Sequence, residues 1–324
     1  MTRRYQQLKY SNRRYLDAIE DHVVIFDGAM GTSIQKFNLT AHDFGGEQYD
    51  GCNDYLSITR PDVIQQIHES FLAVGSEAVE TNTFRSNRMT LTEYGLQDRV
   101  LEINRAAAQI ARRACDKYER ETGIPRFVAG SIGPSGKLPS GSDPDLSNVT
   151  FEQLAAVFYE QAQGLVEGGA DLLLVETSQD ILEVKAAVVG INRYFEDAGV
   201  RVPLQTQITL DTSGKMLFGT DVGGALATLE ALPIDVIGMN CSTGPEYMVQ
   251  PIKTLIERST LPISVLPNAG LPINVDGEAV YPMQPEPFSQ MVSEFTRWGV
   301  NVVGGCCGTT PAHLAALYKA VNGH

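Results

Sequence analysis

Cysteine is scarce in this chain: five residues in 324, at Cys52, Cys115, Cys241, Cys306 and Cys307. So few, and an odd number, exclude a disulfide framework and leave metal binding or catalysis as the use of any thiols that cluster. Long hydrophobic runs are missing as well. No stretch approaches the roughly 20 apolar residues that span a bilayer. The opening segment, MTRRYQQLKYSNRRY, is basic but has no apolar centre, so it does not read as a secretory signal. Positive charge is in deficit, 25 Lys and Arg against 39 Asp and Glu, for a net charge of −14. That balance argues against a nucleic-acid surface, which needs a basic face. The expectation is a cytoplasmic protein with neither membrane nor nucleic acid as partner. Phosphate-binding motifs are absent too: DGAMG is not GxGxxG, and SGK at Ser135 lacks P-loop spacing.

Against these absences stand eight short apolar runs, from VVIFDGAM at Val23 to VNVVGGCCG at Val300. Helical patterns such as PDVIQQIHESFLAVG and FEQLAAVFYEQAQGLVEGG separate them. Runs that are apolar throughout suit parallel strands buried on both faces. Eight strand–helix units predict a (β/α)8 TIM barrel, a single domain over residues 1–324, in preference to an open doubly wound sheet. Residues 1–21 read as an N-terminal extension, a helix packed over the barrel. Two long excursions, Ser33 to Thr59 and Ser135 to Thr150, follow strand ends on the face where barrels build their sites.

Two adjacent cysteines, Cys306 and Cys307, sit between glycines at the end of the eighth run, and Cys241 ends the sixth. Strands six and eight are about 10 Å apart at about 4.8 Å per strand, close enough for side chains leaning over the mouth to meet on one ion. Neighbours on a regular strand point to opposite faces, so both thiols converge only if the chain leaves strand geometry. Gly304, Gly305 and Gly308 offer the dihedral freedom for that. Three thiolates leave a fourth position open, the mark of a catalytic zinc site. The plainer reading is three buried small thiols, with or without a strained vicinal disulfide.

Asp27 ends the first run and Glu176 the fourth, where acids facing the mouth could hold a cationic amino group. The backbone N–H groups of Gly28 and Ala29 are candidate donors to a carboxylate. Each acid taken singly is equally a structural cap. Asn268, in LPNAGLP, ends the seventh run between the cysteine strands. Its amide oxygen is a possible fourth metal ligand in the absence of substrate, or else a loop asparagine bonded to backbone. Asn240 reads as support for Cys241, Thr81 and Asn82 as weaker candidates for the mouth, and His68 and His313 as surface or packing residues on helices.

FDGAMGT, VETNTF, LLLVET, MNCSTGP, PNAGLP and VGGCCGTTP together resemble the zinc-dependent homocysteine S-methyltransferases, over nearly the whole chain. ETNTF and NAGLP are most similar to the homocysteine-binding barrel of cobalamin-dependent methionine synthase. The resemblance implies Zn2+ on Cys241, Cys306 and Cys307, homocysteine on Asp27, Glu176 and the Gly28–Ala29 backbone, and Asn268 as the metal's resting neighbour. It implies methionine as product and methylcobalamin as methyl donor. No Asp-x-His-x-x-Gly pattern is present to ligate cobalt, so the donor is expected on a separate corrinoid domain or protein. Betaine or S-methylmethionine is the alternative donor. A non-catalytic zinc-binding barrel, or a barrel lyase with incidental cysteines, remains as a further alternative.

Overall fold

The computed structural model describes residues 8–275 and 277–323. Eight parallel strands line up as a barrel: β1 (Val24–Ile25), β2 (Ala78–Glu80), β3 (Phe127–Ile132), β4 (Leu172–Ser178), β5 (Leu204–Ile208), β6 (Val236–Asn240), β7 (Ile263–Leu266) and β10 (Val302–Val303). An antiparallel hairpin, β8 (Ile273–Val275) and β9 (Glu278–Val280), is inserted before the last of them. The barrel order is β1-β10-β7-β6-β5-β4-β3-β2, and a parallel bridge from Phe26 to Ala78 joins the two ends. Around that bridge the Glu77 N–H donates to the Ile25 carbonyl at 2.7 Å and the Asp27 N–H to the Ala78 carbonyl at 2.9 Å. An open doubly wound sheet has no such closure.

Helices follow in chain order: α1 (Arg14–Asp21), α2 (Met30–Gln35), α3 (Leu56–Thr59), α4 (Pro61–Leu72), α5 (Arg88–Leu91), α6 (Val100–Thr122), α7 (Phe151–Glu167), α8 (Ile181–Ala198), α9 (Val222–Leu229), α10 (Val249–Arg258), α11 (Pro285–Trp298) and α12 (Pro311–Asn322). Their ends follow local chemistry. Thr150 and Gln153 form a capping box at the start of α7, and Gly123 ends α6 in the left-handed region. No described helix is long and apolar enough to cross a membrane.

Inward positions alternate along each strand, and the lower lumen is filled by Val24, Phe26, Ala78, Phe127, Ala129, Leu172 and Leu174. One more inward step along β2, β3 and β4 lands on Glu80, Ser131 and Glu176. The same alternation that packs the lumen with apolar groups therefore delivers polar groups at its C-terminal mouth.

The N-terminal end is closed by the extension. Tyr15 of α1 is fully buried against Phe26 and Phe127, and its hydroxyl donates to Gln205 at 2.6 Å. The Ser11 N–H reaches the Arg201 carbonyl at 2.8 Å, and Asn12 donates to Asp171 at 2.7 Å. The expected helix over residues 1–21 is shorter than predicted. It begins at Arg14, residues 8–13 run irregularly along the barrel floor, and residues 1–7 lie outside the described residues.

Of the two expected excursions, the first folds into α2, α3 and two 3-10 turns. The second is fastened to the start of α8. There Asp180 accepts from the Ser140 N–H at 2.8 Å, and Glu183 from the Ser135 N–H, also at 2.8 Å. A third excursion, which carries the β8–β9 hairpin, was not anticipated.

Candidate metal centre and substrate cavity

Cys241 follows β6 directly, and Cys306 and Cys307 lie three and four residues past β10. Their sulfurs converge to within 4.8 Å of one another, and the Cys241 and Cys307 sulfurs are 3.7 Å apart. All five cysteines are free thiols in the structure. Two sulfurs bound to one tetrahedral zinc at about 2.3 Å would lie about 3.8 Å apart. The thiols thus hold the spacing that a metal would require.

The backbone turns that aim them are unusual. Cys241 and Ser242 have φ of 58° and 60°, a left-handed conformation that side-chain-bearing residues seldom adopt. The glycines act differently from expectation. Only Gly308 has a positive φ, 77°. Gly304 is needed for space, because a Cβ there would lie 2.7 Å from that of Phe26. At Gly305 a Cβ would run into the Thr309 side chain. Thr310 precedes α12, with Pro311 in its first turn as the sequence predicts.

Electrostatically the three thiols favour one negative charge among them. Hydrogen bonds from Cys241 and Cys306 push the Cys307 thiol down to about 3, and the same contacts hold Cys306 well above the usual thiol range. Ionising all three calls for a cation. The Tyr281 hydroxyl, at the foot of the β8–β9 hairpin, also stabilises ionised Cys307, and its ring packs against Gly308. Sequence reasoning missed Tyr281 along with the hairpin that positions it.

Opposite the sulfurs lies a group of acids. Glu176 is buried. It accepts from the Ser131 hydroxyl at 2.5 Å and from Asn240 Nδ2 at 3.1 Å, and burial raises its pKa to about 7. Asp27 is buried too, with Oδ2 accepting the Glu80 N–H at 3.1 Å and Oδ1 left without a partner. Glu80, not predicted, is the third carboxylate. Burial first, then Glu176 and Asp27, hold it well above the usual carboxylate range. Its sequence signal was the one used for Asp27 and Glu176: an acid closing an apolar run. Two buried carboxylates, a half-buried third beside them and an oxygen with no partner among the described residues together suit a cation.

One cavity of about 330 Å³ joins both groups. Gly28, Ala29, Glu80, Glu176 and all three cysteines line it, with Thr81, Asn82, Phe84 and Met30. Asp27 stands one layer behind. Asn240 links the two halves: its Nδ2 bonds Glu176, its Oδ1 accepts the Thr177 N–H at 2.8 Å, and the Cys306 sulfur is 3.8 Å from Nδ2.

One expectation is corrected by this geometry, that of the Ala29 amide. The Ala29 N–H donates to the Thr309 carbonyl at 3.2 Å and is not free for a substrate carboxylate. Among the described residues the Gly28 N–H has no such partner, and the amides opening α2 at Met30 and Gly31 also border the cavity. Asn268, a possible fourth ligand in the absence of substrate, is fully buried next to the cysteine turn, and its Oδ1 accepts the Cys307 N–H at 3.1 Å. The two histidines are packing residues: His68 is buried in the core, and His313 donates to or accepts from Thr310 and meets the Met283 carbonyl.

The fold and site define a (β/α)8 barrel with a cluster of three thiols and a group of acids at its C-terminal mouth. A profile of the homocysteine S-methyltransferase family matches residues 24–321, and the chain belongs to that family of methyltransferases. Methionine synthase of Mycobacterium tuberculosis (strain ATCC 25618 / H37Rv) is 42% identical over 310 residues, which is 94% of this chain and 25% of that protein. Methionine synthase of Mycobacterium leprae (strain TN) is 40% identical over 307 residues, with the same coverage. The chain thus spans about a quarter of the length of these curated relatives. The solved structure of the homocysteine methyltransferase MmuM from Escherichia coli, in its oxidized form, has a TM-score of 0.75 at 23% identity and covers 94% of this chain and 98% of that one. That likeness concerns the fold.

Proposed function

We propose that the whole chain forms one homocysteine-binding barrel that methylates the homocysteine thiol to give methionine, with Zn2+ on Cys241, Cys306 and Cys307. The observation that carries this reading is the sulfur spacing of 3.7 Å facing a buried acid group across a single small cavity. Bound zinc supplies deprotonation of a coordinating thiol near neutral pH, so that its sulfur is a nucleophile. The chain's own residues do the rest. Glu176 grips the substrate ammonium with Asp27 one layer behind it, and Ser131 and Asn240 fix the orientation of Glu176. The Gly28 amide and the first amides of α2 receive the substrate carboxylate. Phe84 and Met30 restrict water at the cavity wall. Free thiols in such a cluster suit a reducing compartment such as the cytoplasm.

The favoured donor is methylcobalamin presented by a separate corrinoid domain or protein. Support comes from the rim of the mouth, where Phe37, Phe84, Leu146, Leu217, Phe218, Tyr247, Ile273, Val275 and Val280 are exposed. Every one of them sits on a segment between a barrel strand and the helix that leads back to the next strand, an arrangement that favours a docked partner. The deciding assay supplies zinc-loaded protein and homocysteine with methylcobalamin, betaine or S-methylmethionine in separate reactions. Methionine from methylcobalamin is the expected outcome. Turnover with betaine or S-methylmethionine and none with methylcobalamin would overturn the donor assignment.

A further inference from the structure

Three adjacent strands, β2, β3 and β4, deliver Glu80, Ser131 and Glu176 side by side to the cavity. Hydrogen-bond donors are shared unevenly among them. The single hydroxyl proton of Ser131 goes to Glu176 Oε1 at 2.5 Å. Asn240 Nδ2 spends its two hydrogens on Glu176 Oε2 at 3.1 Å and on the Thr177 hydroxyl at 2.9 Å. Arg85, the one basic side chain bordering the cavity among the described residues, is paired with Glu93 at 2.7 and 2.8 Å. Among the described residues, no neutral donor and no cation reaches the Glu80 carboxyl. Its neighbours are the Glu176 carboxyl, within hydrogen-bond reach, and Asp27 and Cys307.

The backbone holds this crowding in place. Asp27 Oδ2 accepts the Glu80 N–H at 3.1 Å, and the Thr81 N–H donates to the Ala129 carbonyl at 2.9 Å. Strand β2 thus stays in register up to the residue that borders the cavity. Acids packed together destabilise one another, and a half-buried carboxyl without a donor adds a cost of its own. A charge that opposes the fold in this way marks a place where a ligand is received. An ammonium group supplies what the protein withholds, a positive charge and three N–H donors, enough to bond both carboxylates at once.

We propose that Glu80 is a specificity-determining residue for the substrate amine, the second carboxylate that brackets the ammonium together with Glu176. This rests on the reading of the cavity as the homocysteine site. It makes amine recognition a property of β2 as well as β4. Asp27 acts from behind, through the Glu80 backbone.

The test uses the full chain supplied with zinc and two thiols, homocysteine and γ-sulfanylbutyrate, which is homocysteine without its amino group. Binding is read by calorimetry, zinc by metal analysis and stability by thermal melting. Glu80→Gln keeps the shape, removes the charge and leaves Glu176 its own donors. It should weaken homocysteine binding about 10- to 100-fold, the range for losing a hydrogen bond to a charged group. Binding of γ-sulfanylbutyrate should be no weaker than in the parent, and zinc content should be the same. Without any thiol the variant should melt about 2–4 °C above the parent, because one of the crowded acids has gone. Parental homocysteine affinity in Glu80→Gln, or an equal loss for both thiols, would overturn the inference. So would a variant that melts lower or fails to fold, since Glu80 would then serve the fold. A parent that bound both thiols alike, or neither, would instead overturn the homocysteine reading itself.

Discussion

Three neighbouring carboxylates, Glu80 and Glu176 lining the cavity and Asp27 one layer behind, cannot all be ionised without a cation, and the balance among them decides what the site accepts. Glu176 is the most exactly held of the three, by Ser131 and Asn240. Glu176→Gln keeps the shape and removes the charge-assisted bond to an ammonium, worth about 1.5–3 kcal/mol. Its KM for homocysteine should rise about 10- to 100-fold with zinc content unchanged, as steady-state kinetics and metal analysis would report. A parental KM would remove Glu176 from the amine receptor. His68 offers a test of stability. It is fully buried, neither ring nitrogen has a partner among the described residues, and burial lowers its pKa to about 4 from 6.5. The unfolded chain therefore binds the extra proton between pH 6.5 and 4, and stability falls as pH drops through that window. At pH 5 the loss from this residue is on the order of 2 kcal/mol. Urea unfolding of His68→Leu at pH 7 and pH 5 should show a smaller drop than the parent; an equal drop would contradict the assignment.

At the scale of elements, the mouth depends on how each strand ends. Gly308 combines a positive φ with the Tyr281 ring against its Cα, so Gly308→Ala is strained on both counts. That variant should keep its far-ultraviolet circular dichroism and lose most of its bound zinc on dialysis; full retention of zinc would mean that the turn tolerates a Cβ. Much of this layer was legible in the sequence. The apolar runs marked the strands because parallel strands buried on both faces cannot disguise themselves with polar residues. Paired cysteines among glycines marked the metal turn. Three things were not legible. The β8–β9 hairpin hid within a Pro- and Gly-rich stretch, although its Asp276–Gly277 pair between INV and EAV is a hairpin signal. Glu80 was passed over beside Thr81 and Asn82, because inward alternation becomes decisive only once the strand ends are known. The contacts made by Asn268 and the Ala29 amide, to Cys307 and Thr309, are long-range bonds that no local pattern encodes.

The whole molecule presents an acidic surface with an apolar ring at one end. The hairpin is the most prominent part of that ring, with Ile273, Val275 and Val280 all exposed. If the donor arrives on a partner, Val275→Asp should lower kcat/KM with a methylcobalamin-carrying protein roughly tenfold, the effect of one interface contact of more than 1 kcal/mol. Turnover with free methylcobalamin should be unaffected; an equal loss with both donors would place the hairpin in catalysis and not in docking. The extension plugs the floor through Tyr15, so under the proposed function acceptor, metal and donor meet at the mouth. The most direct test of that meeting is zinc X-ray absorption on the purified chain with and without homocysteine. The account predicts stoichiometric zinc with three sulfur neighbours, rising to four when homocysteine is added. A chain that holds no stoichiometric zinc, or zinc whose sulfur count does not respond to homocysteine, would contradict it.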